Sequence, residues 1–162
     1  MTKGYIREAV WGDVSPIAAH MRPADVAEVF ASTGAKPEGA LYSGLLTSAF
    51  GGKVRTICLS DSTPVSMLGV LPTGEPGVGA VWLLATDRLL EIQTLFLRRS
   101  RETLAELTQG YRVVYNYTDA RNTVHHRWLQ WMGFTIIQRH EEWGHARLPF
   151  LEFCKITEEH HV

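Results

Sequence analysis

Apolar positions along the chain switch between two periods, and the switches mark the elements. Residues 4–11 (GYIREAVW) alternate as a short strand does. Residues 12–33 then follow helical spacing and read as two short helices. Pro16 suits a first helical turn, Pro23 with Asp25 suits the start of the second helix, and Gly34 suits its end. Residues 37–50 place Leu41, Leu45, Ala49 and Phe50 at helical spacing, weakened by Gly44. Three strands are predicted next: 53–60 (KVRTICLS), 65–73 (VSMLGVLPT) and 79–86 (GAVWLLAT), separated by the turn chemistry of DSTP and GEPGVG. The third is the most apolar, as a central strand is.

Residues 87–110 predict a helix closed by Gly110, with Ile92, Phe96, Thr103 and Leu107 on one face. Residues 112–118 (RVVYNYT) are a further strand, a helix follows from Asn122, and TIIQRHEEW and PFLEFCKIT form a terminal strand pair. Antiparallel neighbours come first and a strand-helix-strand crossover comes after. That order predicts one α+β domain over residues 1–157, a mostly antiparallel mixed sheet with helices on both faces. Residues 158–162 are read as a solvated tail.

Composition narrows the function classes. The chain has 162 residues, enough for one domain with a core. Its 16 basic and 17 acidic residues give a net charge of -1, which argues against a dedicated nucleic-acid binder. Arg121, Arg127 and Arg139 beside tryptophans leave only a local contact of that kind open. Cys58 and Cys154 form no CxxC pattern and read as buried free thiols, with a single disulfide as the alternative. No apolar run resembles a signal peptide or a membrane span, so a cytoplasmic protein is expected.

The densest stretch is residues 120–134, ARNTVHHRWLQWMGF. Val124, Trp128, Trp131 and Met132 fall at helical spacings and predict a buried stripe. Asn122 stands at an N-cap position, Gly133 at a left-handed exit, and Phe134 where the next strand enters the core. His125 and His126 are adjacent and lack the i, i+4 spacing of a helical zinc pair, so no metal site is expected. Either can act as an acid or base, since histidine titrates near neutrality.

The pattern N-x-x-H-x-x-x-L-x-x-x-G-F in this stretch resembles the last motif of the GNAT (Gcn5-related N-acetyltransferase) fold family. The element order resembles that fold too. MRPADVAEV together with YNYTDARNTVHHRWLQWMGF also looks like small GNAT-like proteins of tailed phages, the internal virion protein A-like group. The resemblance implies acetyl-CoA, or another acyl-CoA, bound where two central strands splay apart. An amine acceptor attacks the thioester, helped by backbone amides, a base and an acid. On this chain it implies backbone contacts from Trp82, Leu83, Leu84, Ala85 and Thr86, with Asn122 framing the cofactor arm. His125, Tyr117 and Asp119 are the candidates for proton transfer.

Three departures bear on activity. The family's glycine-rich phosphate turn is missing, since no glycine lies between Gly79 and Gly110. Asp87 and Glu91 would repel phosphate there, while Arg88, Arg98, Arg99 and Arg101 are candidate compensating cations; Arg88 and Arg99 are taken as cofactor-binding. Leu129 stands where many members place a tyrosine acid, and no glutamate lies in GAVWLLA. Two readings follow. One is an acyl-CoA-dependent N-acyltransferase acting on a protein or small-molecule amine. The other is a catalytically degenerate scaffold that binds a host or virion protein. A side-chain-filled gap beside Trp82 would favour the scaffold. A homodimer through an edge strand of the terminal pair is open to either.

Overall fold

The structure, a computed structural model, describes residues 4–157; the predicted tail lies outside the described residues. Seven strands form one sheet: β1 (Gly4–Glu8), β2 (Lys53–Leu59), β3 (Pro64–Pro72), β4 (Val78–Ala85), β5 (Val113–Asp119), β6 (Thr135–Trp143) and β7 (Leu148–Ile156). Their order across the sheet is β1-β2-β3-β4-β5-β7-β6. Neighbours are antiparallel except β4 and β5, which run parallel. Helices α1 (Val14–Ala19), α2 (Pro23–Thr33) and α3 (Pro37–Leu46) follow β1. Helix α4 (Gln93–Leu107) makes the β4-to-β5 crossover, and α5 (Thr123–Trp131) follows β5. The α+β class and the mixed sheet are as predicted. No described helix is long and apolar enough to cross a membrane.

Each face of the sheet has its own core. Strand β4 alternates strictly between the two. Val81, Leu83 and Ala85 face the side where Phe96 and Leu104 of α4, Leu129 of α5 and Met132 just after it pack. Trp82 and Leu84 face the other side, against Val14 and Ile17 of α1 and Leu41 and Leu45 of α3. Trp82 fits because two glycines make room for its ring. A Cβ built on Gly44 would lie 2.5 Å from the indole, and one on Gly69 would lie 3.0 Å from its Nε1.

Three expectations are corrected. The predicted stripe after Asn122 holds at Met132, which is buried, and at Trp128, which packs against the core, but not at Val124 and Trp131, which are 63% and 48% exposed; Leu129 fills the core in their place. Phe50 is 76% exposed because Thr47–Phe50 turns into a 3-10 segment that lifts it off the core. The residues after β4 do not start a regular helix, since Asp87–Ile92 is a 3-10 turn. Cys58 is buried and Cys154 half-buried, and both are free thiols.

Helix α2 is anchored at both ends. At its start, Arg22 N–H donates to Ala85 C=O at 2.9 Å, at the end of β4. At its finish, His145 N–H and Ala146 N–H in the β6–β7 turn donate to Ser32 and Ala31 carbonyls, each at 3.0 Å.

The packing of Trp82 gives a test with opposed signs. On helix propensity alone, Gly44→Ala stabilises α3 by about 1 kcal/mol. Against the indole, the added methyl overpacks the core, and the expected net result is a destabilisation of about 1–3 kcal/mol. Urea unfolding of the variant and the parent decides the sign.

Candidate functional site

Strands β4 and β5 pair at only three positions: Val78↔Val113, Gly79↔Val114 and Ala80↔Tyr115. Beyond these they diverge. Backbone groups on the β5 side of β4 then lose their strand partner, and each needs another. Thr86 N–H donates to Val65 C=O at 2.8 Å. The antiparallel alternation therefore turns the backbone groups of Trp82, Leu84 and Thr86 toward β3, and those of Val81, Leu83 and Ala85 toward the gap.

Side chains and one loop fill most of that gap. Asn116 Nδ2 donates to Val81 C=O at 2.7 Å, while its Oδ1 accepts from Tyr117 N–H at 2.9 Å. Ala85 N–H donates to Asp25 Oδ2 at 2.9 Å, and Ala85 C=O is taken by Arg22 N–H. Leu83, between these bridged positions, directs its N–H and C=O into the gap with no strand opposite.

The gap opens into a cleft of about 560 Å3 between α4 and α5, under the start of α2. Leu83, Thr86, Asn122 and His125 line it, as do Leu90, Phe96 and Trp128. Two buried polar atoms on this lining, Thr86 Oγ1 and Trp128 Nε1, have no hydrogen-bond partner among the described residues. On the other side of α5's first residues lies a group of carboxylates. Asn122 accepts from His125 N–H as the helix cap and donates through Nδ2 to Glu28 Oε2 at 2.8 Å. The same nitrogen lies 3.5 Å from Asp25 Oδ1. Thr118 Oγ1 donates to Glu28 Oε2 at 3.5 Å.

Their electrostatics differ. Burial raises the Glu28 carboxyl to about 7, partly opposed by the Asn122 bond and reinforced by the charges of Asp25 and Asp119. Burial also raises Asp25, although Arg22 opposes it with a 2.8 Å ion pair. Asp119 ends below the ordinary carboxylate range: burial pushes it up, but Arg121 outweighs that with a 2.6 Å pair and a backbone bond. Burial, with Arg22 and His126 nearby, lowers His125 to about 3, so its ring is neutral at physiological pH.

The sequence candidates are thus scattered. Leu83, Thr86, Asn122 and His125 share the cleft. Trp82 and Leu84 face the opposite core, and Ala85's backbone is occupied. Tyr117 stacks on Trp143 at 4.4 Å; register with Ala80 puts it on the Trp82 face, and burial raises its phenol. Asp119 holds the turn before α5 rather than facing the cleft. Arg88 and Arg99 pair with Glu91 and Glu102 on the surface of the crossover and do not line the cleft. Beside Trp82 the remaining void is about 20 Å3, closed by Trp128, His125 and Leu129. Among the described residues no three His, Cys, Asp or Glu gather into a metal site. Glu28 was missed because, in sequence, it is an ordinary charge on an amphipathic helix. Only the fold sets it beside Asn122.

Solved structures resemble this one along its whole length. An N-acetyltransferase from Staphylococcus aureus Mu50 superposes with a TM-score of 0.72 at 14% identity, over 96% of this chain and 99% of that one. A GCN5-related N-acetyltransferase from Kribbella flavida gives 0.71 at 16%, over 94% and 97%. The protein yncA of Salmonella typhimurium, solved with its cofactor acetyl-CoA, gives 0.74 at 14%, over 99% and 97%. No family model and no curated sequence matches the chain. At these identities the likeness is one of fold, and the fold is that of the GNAT acetyltransferases.

The raised Glu28 carboxyl predicts a pH signature. A carboxyl whose folded pKa exceeds its unfolded value favours folding while protonated. That contribution is complete below about 4.5 and is lost as pH rises through about 7. Relative to Glu28→Gln, the parent should lose on the order of 3 kcal/mol between these values and nothing further above them. Parallel stability curves for the two proteins in denaturant titrations would refute the raised pKa.

Proposed function

We propose that this protein is an N-acyltransferase that moves an acyl group from a pantetheine thioester, such as acetyl-CoA, to an amine, with Glu28 as the general base. The observation that carries this is a cleft ending at the free backbone of Leu83 and separated from Glu28 by one side chain, Asn122. The fit of the arm is supported by the unpartnered Trp128 Nε1 and Thr86 Oγ1 on an otherwise largely apolar lining. An amide-bearing aliphatic chain satisfies both requirements.

When bound, the thioester supplies an acyl carbon activated toward attack by an amine. Leu83 N–H is the backbone donor available to polarise a carbonyl oxygen in the gap. Glu28, at about 7, is substantially ionised at neutral pH yet basic enough to accept an amine proton. Asn122 holds Glu28 through its Nδ2 and caps α5 through its Oδ1, so one residue fixes both base and helix. Neutral His125 offers hydrogen bonding but no imidazolium proton, and Leu129 offers none. The departing sulfur therefore leaves as a thiolate, which a thiol pKa near 8.5 makes tolerable. Tyr117, Trp143 and His140 form an aromatic wall on the Trp82 face of the sheet, and we assign that side to the acceptor.

One observation favours the scaffold reading: the 20 Å3 closure beside Trp82. In that reading the chain binds a host or virion protein, which accords with the likeness of its two motif stretches to phage proteins.

Calorimetric titration with acetyl-CoA separates the two. Saturable binding, weakened by Asn122→Ala, is expected for the transferase; none up to millimolar cofactor sinks it. With an amine acceptor in hand, Glu28→Gln should lower kcat by about 100-fold or more and abolish the rise of kcat/KM near pH 7.

A further inference from the structure

The two ends of the cleft are built for different ligands. Away from the β4–α4 segment its wall carries the unpartnered Trp128 Nε1, beside the apolar Phe96 and Leu97. Its mouth is the segment between β4 and α4, and here the chemistry is adverse to a polyanion. The 3-10 turn Asp87–Ile92 runs directly into α4. Leu89 N–H is consumed by Thr86 C=O, and Gln93 N–H, at the start of α4, by Leu90 C=O. Two amides at this junction, those of Leu89 and Gln93, are thereby spent inside the turn. Asp87 lines the mouth as a carboxylate and Leu90, 68% exposed, as an apolar surface.

Arg98 of α4 is exposed, has no carboxylate partner among the described residues and does not line the cleft; the other nearby cations are mostly paired. Arg88 is paired with Glu91 and Arg99 with Glu102. Arg101 lies 4.2 Å over the Trp131 ring and donates to Trp131 C=O at 2.8 Å. Arg22 places both Nε and Nη2 on Asp25. Among the described cleft-lining residues, Arg127 alone is a cation with no carboxylate partner.

We infer that the site recognises its acyl donor through the pantetheine arm and takes no affinity from the nucleotide end of coenzyme A. This rests on the acyl-transfer reading above and specifies it. The ligand chemistry is an S-acyl pantetheine thioester. Coenzyme A is one source of it, and a phosphopantetheine arm attached to a carrier protein is another.

The test compares acetyl-CoA, S-acetylpantetheine and an acetylated acyl carrier protein as donors to the intact chain, by calorimetry and by steady-state kinetics. Acetyl-CoA and S-acetylpantetheine should agree within about 3-fold, and binding of both should be insensitive to ionic strength. Trp128→Phe keeps the stack on Phe96 but removes the N–H, and should weaken both donors by the same factor of about 5. Arg127→Ala should leave their ratio unchanged. A preference of about 30-fold or more for acetyl-CoA would overturn the inference while leaving the transferase reading intact, as would a loss on Arg127→Ala confined to acetyl-CoA. If neither small donor binds, the inference and the transferase reading fall together. The carrier-protein arm identifies the source: kcat/KM well above that of S-acetylpantetheine assigns the donor to a carrier, and parity or less assigns it to free thioesters. Either result upholds arm recognition when the first two donors agree.

Discussion

Everything at the candidate site follows from one backbone constraint. Two parallel strands part after three residue pairs, and the polar groups left on β4 must find partners inside the protein. An unpaired buried amide or carbonyl costs about 1–3 kcal/mol, so the divergence is stable only if the gap is bridged by other groups. Asn116 bridges it where it begins, and Asp25 with the Arg22 backbone bridges it where it ends. Only Leu83, between the bridges, keeps a free donor and acceptor facing the opening. The site is where the bridging stops.

The same requirement explains the placement of α2. For Asp25 to reach Ala85 N–H, the start of α2 must lie over the end of β4, and that brings Glu28, one turn later, against Asn122 and Thr118. The two carboxylates then meet different surroundings. Asp25 has a guanidinium and a backbone amide to hold its charge. Glu28 has the Asn122 amide, the Thr118 hydroxyl and the Asp119 backbone but no guanidinium, and two neighbouring acids. Burial raises both carboxyls, and Glu28, which has no guanidinium partner, reaches about 7, a range that suits a base working near neutrality. The carboxylate that bridges β4 and the one proposed as base are thus products of a single docking geometry.

Legibility in the sequence divides along the same line. Elements whose period is set by the core were readable: the β4 run, the α4 face and the Asn122 cap all rest on local spacing. The α5 stripe is right at Met132 and Trp128 and fails at Val124 and Trp131, because periodicity counts apolar residues and cannot tell a core from a cleft. Val124 and Trp131 are apolar and exposed, while Leu129, read as a missing acid, is the true core residue. Phe50 failed for a related reason, because a 3-10 segment rotates side chains by a different angle per residue. Glu28 and Arg22 carried no local signal at all. Their roles depend on contacts across sequence separations that propensity and motif spacing do not encode, such as the 94 residues between Glu28 and Asn122.

The missing glycine turn takes on a different meaning once the segment is seen in three dimensions. A glycine-rich loop leaves helix-start amides open. The sequence from Thr86 to Gln93 closes two of its amides, Leu89 and Gln93, on its own carbonyls in a 3-10 turn. That change is confined to the mouth of the cleft and disturbs nothing at Leu83, because β4 is held by β3 along its whole other edge. In the proposed acyl-transfer reading, anion binding and thioester placement are therefore physically separable: one depends on the conformation of a turn, the other on the divergence of two strands. A chain can lose the first while the strand geometry maintains the second, and what remains is a channel whose specificity lies in its depth rather than at its entrance.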